Sequence, residues 1–272
     1  MKSIALGQYY PSKSFLHKLD PRIKIVLAIL YIVCSFLCKN VFSFALLAIG
    51  SVVLVIIGSI PLKIIFRGLR PVLVILIFTA FINIFWTTGD ILLFEWKFIK
   101  IYLEGIFSAI FIIIRITSLI IGTSMFMTYT TTPIELTDGI EDLLSPLKKL
   151  HVPVHEFAMM MTIALRFIPT LVEETEKIMT AQKARGADFT SGSLISRAKA
   201  LIPVLIPLFV SAFNRAADLA TAMECRCYHG GDGRTRMKIR HVHVIDIVSL
   251  IAVIIFGVAL VSLNIVNIGF TM

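Results

Sequence analysis

Two arginines stand where the residue pattern stops two long helices, in Ala184-Arg185-Gly186 and in Cys225-Arg226-Cys227. A cation beside the unpaired carbonyls of a helix C-terminus offsets the helix dipole by about 0.3–1 kcal/mol. The same guanidinium, left exposed, is a planar fork of donors suited to an acidic pocket on a partner. Both readings are open at either arginine alone. Their recurrence at the ends of two similarly patterned helices favours the partner.

The remaining polar groups carry weaker signals. Arg115 lies inside an apolar run, where a charge is costly and marks a functional candidate or a local partner such as Glu104 or a helix end. His151 and His155 have metal-like spacing, but Pro153 between them breaks the helical face two ligands would share. Glu173, Glu174 and Glu176 read as the solvated face of an amphipathic helix. Cys34 and Cys38 sit one turn apart among apolar residues and read as small hydrophobes. Cys225 and Cys227 have no second pair to complete a zinc site. All four are expected as free thiols, with no metal bound. The chain contains no G-x-x-x-x-G-K-[ST], so it has no P-loop with which to cradle a nucleotide. No catalytic constellation is evident.

The elements that position these groups follow from composition. Of 272 residues, 57% are hydrophobic and 16% charged, with a mean hydropathy of +0.90 and a net charge of +9. A soluble domain is about 45–50% apolar and about 25% charged. Few nucleic-acid binders are this apolar, so the basic excess points to a membrane rather than to nucleic acid. The expected fold is all-α: a polytopic membrane protein with about five transmembrane helices plus long amphipathic helices on the cytoplasmic side.

Residues 1–24 are polar, carry no secretory signal, and end on Asp20-Pro21, an N-cap followed by proline at the first helical position. Residues 25–128 hold four spans. Ile25–Ile60 folds back at Lys39-Asn40, Pro61 opens a basic connector with Lys63, Arg67 and Arg70, and Pro71 restarts a helix ending at Trp86. An interfacial stretch with Trp96 leads to the fourth span, Gly105–Thr128. Residues 244–272 hold the last span. Five basic residues precede the first span and three lie in the 61–71 connector, against Lys39, Lys97 and Lys100 opposite. By the positive-inside rule the N-terminus is cytoplasmic and the C-terminus outside.

The interior stretch, residues 129–243, carries 14 of the 26 basic residues. Thr132-Pro133-Ile134-Glu135 is a capping box opening a helix toward Leu144. A helix over Glu156–Arg185 follows, with an apolar stripe through Phe157, Met161, Ile168 and Leu171 and a terminator at Gly186. A second runs over Leu194–Glu224. Its apolar core, Leu201–Phe213, is about 20 Å long at 1.5 Å per residue, short of a crossing. Both helices read as lying along the interface. Met159, Met160, Met161, Met179 and Met223 suit either an adaptable surface or ordinary packing. Arg234, Arg236, Lys238 and Arg240 form a juxtamembrane cluster expected to favour anionic lipid, with His241 and His243 at headgroup level.

Four ordered stretches resemble the transmembrane T components (EcfT) of energy-coupling factor transporters. These are His17-Lys18-Leu19-Asp20-Pro21-Arg22, Ala164-Leu165-Arg166-Phe167-Ile168-Pro169-Thr170, Ala184-Arg185-Gly186, and Ala222-Met223-Glu224 with Arg226. The resemblance implies a non-catalytic scaffold in a prokaryotic cell membrane. It implies three partners: two cytoplasmic ATPase subunits (EcfA and EcfA′), which hold ATP and Mg, and a membrane-embedded substrate-binding S component. Arg185 and Arg226 match the positions that seat in the ATPases, Asp20, Pro21 and Arg22 form the N-terminal signature, and Phe157, Met161, Ile168 and Leu171 fall on the S-component face. The cysteines around Arg226 depart from the small residues commoner there. A vitamin is the cargo implied, in preference to cobalt or nickel. The residues alone leave two alternatives: a lipid or prenyl transferase using the 173–176 carboxylates, or a stand-alone secondary transporter.

Overall fold

The structure is a computed structural model that describes residues 9–12, 14–89, 91–96, 99–189, 191, 193–231 and 241–265. Lys2, Lys13, Asp90, Lys97 and the cluster Arg234, Arg236, Lys238 and Arg240 lie outside the described residues, as does the side chain of Trp96. Eight α-helices succeed one another among the described residues: α1 (Pro21–Leu37), α2 (Val41–Gly58), α3 (Leu62–Trp86), α4 (Leu103–Thr123), α5 (Pro133–Leu144), α6 (Val154–Ala184), α7 (Leu194–Glu224) and α8 (Val244–Ile265). An antiparallel hairpin, β1 (Leu92–Trp96) with β2 (Ile99–Tyr102), joins α3 to α4 and pairs Trp96 with Ile99.

The chain divides into two compact units, one over residues 7–143 with 240–272, the other over 144–239. In the first, α1, α2, α4 and α8 enclose Leu27, Tyr31, Leu47, Phe126 and Leu260, with Phe44 stacked on Phe111 at 4.6 Å. Small residues allow the close approach. A Cβ on Gly122 would overlap the Tyr31 ring, and one on Gly50 would come within 2.6 Å of Phe256. Small residues at crossings let backbones approach in a membrane, where the lipid is as apolar as the helices.

The start of α1 ties three elements together. Asp20 Oδ1 accepts the Arg22 N–H at 2.9 Å, capping α1, with Pro21 in the first helical position. The Asp20 N–H in turn donates to Asp246 Oδ1 at 2.8 Å, while Asp246 Oδ2 accepts the His243 N–H at 2.8 Å. Asp246 is fully buried and so caps α8 and anchors α1 at once. Arg22 forms an ion pair with Asp142 of α5, and Gly139 of α5 leaves only 3.0 Å between its Cβ position and Pro21. Lys24 is buried and donates to the Thr130 carbonyl at 2.8 Å; it is a structural donor, not one of the surface cations that set orientation. At the far end Asn40 caps α2 with Ser43 and reaches the Leu263 and Asn264 carbonyls at 3.3 Å.

The capping box at Thr132 and Glu135 forms, with both reciprocal bonds at 3.2–3.3 Å. Thr130 and Thr131 hydroxyls bond the carbonyls of Met125 and Phe126 in the π-helical turn Ser124–Thr128 that ends the fourth span. The basic connector expected over 61–71 is instead the first turns of α3, which begins at Leu62 and passes through Pro71 without ending. Proline is tolerated there as in other spanning helices.

Among the described residues five helical stretches are long and apolar enough to cross a membrane: α2, α3, residues 103–128, α7 and α8. The number agrees with the sequence, but the membership does not. The 17 residues of α1 reach about 26 Å at 1.5 Å each, at the short end of what crosses a hydrocarbon core of about 30 Å, whereas α7 qualifies by length and composition.

Candidate partner-docking site at two helix ends

Helices α6 and α7 each contain 31 residues, about 46 Å at 1.5 Å per residue. Pro153 stands at the N-cap of α6, after His151 has turned the chain through positive φ (60°). Ser193 caps α7, its hydroxyl accepting the Ser196 N–H at 3.3 Å. Pro169 lies inside α6, and Pro203 and Pro207 inside α7.

The two helices stop in the same way. At α6 the Gly186 N–H bonds the Lys183 carbonyl and the Ala187 N–H bonds the Gln182 carbonyl, both at 3.0 Å, with Gly186 at φ 87°. At α7 the Cys227 N–H bonds the Glu224 carbonyl at 2.8 Å and the Tyr228 N–H bonds the Met223 carbonyl at 3.1 Å, with Cys227 at φ 55°. Each is a Schellman motif, and each places its arginine immediately before the left-handed residue. Because the motif satisfies the last carbonyls with backbone N–H groups, neither guanidinium is needed to cap its own helix. Arg185 and Arg226 are exposed, and among the described residues neither has a side-chain hydrogen-bond or ion-pair partner. Ala184, Gly186, Cys225 and Cys227 are exposed with them. The departure from small residues thus sits at the left-handed position, where Cys227 does what glycine does at position 186.

Between these ends an ion pair pins the helices: Arg215 Nη2 stands 3.0 Å from Glu174 Oε2. Each partner lies 11 residues ahead of its helix's terminal arginine, about 16 Å of helix on either arm. Glu174 is therefore not part of a wholly solvated run, although Glu173 and Glu176 are exposed. Beside the pair, Leu171 of α6 and Leu205, Phe209 and Ala212 of α7 line an apolar groove of about 450 Å³.

Of the stripe residues, Phe157, Met161 and Ile168 are exposed and Leu171 is half-buried in that groove. Met160 is exposed, and Met159, Met179 and Met223 are intermediate. The α7 face carrying Leu205, Ile206, Phe209, Val210 and Phe213 is more than half exposed throughout. Arg115 is not paired with Glu104. Its Nη2 donates to the Cys38 carbonyl at the end of α1 at 2.8 Å, and its guanidinium lies 5.1 Å from the Phe44 ring centroid. This is the helix-end partner, and it anchors α4 to α1. The residues 20–22 belong to that bundle, as a joint between helices. All four cysteines are free: Cys34 and Cys38 buried, Cys225 and Cys227 exposed. Among the described residues no cluster of histidine, cysteine and carboxylate side chains could hold a metal.

Sequence reasoning missed the Glu174–Arg215 pair and the joint made by Asp246, Asp142 and Lys24. The equal spacing of Glu174 and Arg215 from the two arginines was the available signal for the first. An acid three residues after His243, at the start of an apolar run, was the signal for Asp246.

A bundle of apolar helices joined to two long helices with matched, exposed arginine ends is a multi-pass membrane protein. Comparison with known proteins agrees. The family model described as cobalt transport protein (CbiQ) matches residues 12–239. The chain is 50% identical over 264 residues to the energy-coupling factor transporter transmembrane protein EcfT of Clostridium kluyveri, covering 96% of this chain and 97% of that one. It is 55% identical over 238 residues to the EcfT protein of Ruminiclostridium cellulolyticum (88% of each) and 49% identical to that of Bacillus subtilis over 238 residues (88% and 89%). The chain belongs to this family: it is a transmembrane component of an energy-coupling factor transporter.

Proposed function

We propose that this chain is the energy-coupling scaffold of an ATP-driven importer. It links two cytoplasmic ATPase subunits to a membrane-embedded S component that carries a vitamin-type micronutrient. The observation that carries the reading is the pair of matching helix ends. Each satisfies its own carbonyls through backbone N–H groups and so presents an arginine with no partner among the described residues. A charge-assisted, bidentate contact is the strongest use of such a fork, and two forks on two equal arms suit two similar partners.

In this reading α1 crosses as a short span together with α2, α3 and α4, the bilayer thinning slightly to match it. The N-terminus and residues 129–243 then face the cytoplasm, the C-terminus lies outside, and α7 rests along the interface. ATP and Mg are held by the ATPase subunits, and this subunit performs no catalysis. Closure of the ATPases on ATP displaces Arg185 and Arg226, and the stiff helices carry that displacement past the Glu174–Arg215 pin to their apolar faces. There Phe157, Met161, Ile168 and the Phe209 face of α7 grip the S component. Burying apolar surface contributes roughly 25 cal/mol per Å², which suits a grip that is non-directional and tolerant of different S components.

The test is affinity purification of the tagged chain from its own membranes, with and without Arg185→Glu and Arg226→Glu together. Wild type is expected to bring down two nucleotide-binding subunits and a small apolar protein. The double variant is expected either to lose the ATPases or to hydrolyse ATP without uptake. Normal assembly and uptake in the double variant would refute the coupling role.

A further inference from the structure

Helices α3 and α4 form an apolar groove of about 610 Å³, within the range of ligand-sized cavities. Leu73, Ile77 and Phe81 line one wall and Ile113 and Thr117 the other, with Arg70 at one end. Both walls belong to helices long enough to cross a membrane. Three cations mark the end of the groove near the start of α3. Lys63, Arg67 and Arg70 are spaced i, i+4 and i+7, which at 100° per residue gathers them on one face. All three are exposed, and among the described residues none has an ion-pair partner. A cationic segment set only to orient a protein needs no alignment with a cavity. Here the innermost cation is itself part of the groove wall, so a negative charge bound by Arg67 and Arg70 would direct a hydrocarbon chain along Leu73, Ile77 and Phe81.

We infer that the α3–α4 groove is a binding site for one anionic phospholipid, with its phosphate on Arg67 and Arg70, assisted by Lys63, and an acyl chain between the two helices. Charge and shape together select this occupant. A zwitterionic lipid gains less from three clustered cations than an anionic one does. An apolar helix from another subunit would leave the arginines without a counter-charge. The site requires only that α3 and α4 lie in a bilayer, and it is independent of the coupling role of Arg185 and Arg226.

The full-length protein is reconstituted in nanodiscs of phosphatidylcholine containing one-fifth phosphatidylglycerol, released, and weighed by native mass spectrometry. Wild type is expected to retain one phosphatidylglycerol in preference to phosphatidylcholine. Arg67→Gln with Arg70→Gln lowers that retention about tenfold, whereas Lys148→Gln with Lys149→Gln leaves it unchanged. Ile77→Trp keeps every cation but fills the groove, and it also loses the lipid; this variant decides the matter if the arginine pair fails to fold. Equal retention of the two lipids, or unaltered retention in both groove variants, overturns the site. So does a photo-crosslinker at position 77 that captures a polypeptide in native membranes in place of a lipid.

Discussion

At the residue scale, two left-handed positions set how the arginines are presented. Gly186 adopts φ 87° and Cys227 φ 55°, and the left-handed region costs a residue with a Cβ about 1–2 kcal/mol. Cys227→Gly is therefore expected to stabilise the end of α7 by about 1 kcal/mol, and Gly186→Ala to destabilise the end of α6 by a similar amount. Thermal unfolding of the purified protein, read by helix signal, measures both; a destabilising Cys227→Gly would contradict the assignment of the motif. A second residue-scale expectation concerns Asp246, whose two oxygens each accept a backbone N–H. Asp246→Asn presents an NH₂ group to one of those donors, so one buried N–H loses its acceptor, at a cost of about 1–3 kcal/mol. The same melting experiment detects it. Arg185 is legible as a helix end because Gly186 follows it. Cys227 carries no such mark, and only the backbone shows that it occupies the glycine's place.

At the element scale, α6 and α7 are joined by a pin with equal arms, and the pin is a salt bridge. A partly exposed pair of this kind contributes about 0.2–1 kcal/mol to stability, so stability is a poor readout and motion a better one. Arg215→Glu places two carboxylates together and pushes the helices apart, and uptake is expected to fall several-fold while the two units stay folded. Glu174→Arg combined with Arg215→Glu restores the attraction with reversed sign and is expected to recover most of the uptake. Failure of the exchange to rescue would show that the side chains act separately. Element boundaries are largely readable from the residue pattern alone: Asp20-Pro21, the Thr132–Glu135 box, Gly186 and the Leu194–Glu224 limits all fall where local chemistry puts them. The start of α3 is not, because Pro71 reads as a helix start when lipid-facing surroundings in fact accommodate it inside a helix. The hairpin after α3 is equally hidden, because mixed polar and apolar residues at an interface resemble a loop.

At the scale of the whole molecule, the question is which helices cross, since α1 is short and α7 is long enough. Length favours α7, but charge placement opposes it. Arg197 and Lys199 precede its apolar core and Arg215 follows it, leaving 13 apolar-core residues, Leu201–Phe213, or about 20 Å where about 30 Å is required. A full crossing would hold Lys199 and Arg215 each about 12 Å from its middle, inside a hydrocarbon edge at about 15 Å, so both side chains would have to snorkel outward. It would also separate the two arginines: Arg185 stands near the start of α7 in sequence, Arg226 at its end, and a crossing helix puts them on opposite faces. The chain carries its own probes for this. Cys225 and Cys227 are exposed, while Cys34 and Cys38 are buried. A membrane-impermeant maleimide is therefore expected to label two thiols per chain in inverted vesicles and none in right-side-out vesicles, with the other two reacting only after denaturation. Added ATPase subunits are expected to slow the labelling, because the cysteines flank the arginine they would cover. Labelling from the outer face would instead establish α7 as a span, place Arg226 beyond the reach of any cytoplasmic ATPase, and remove the second arm from the coupling scheme.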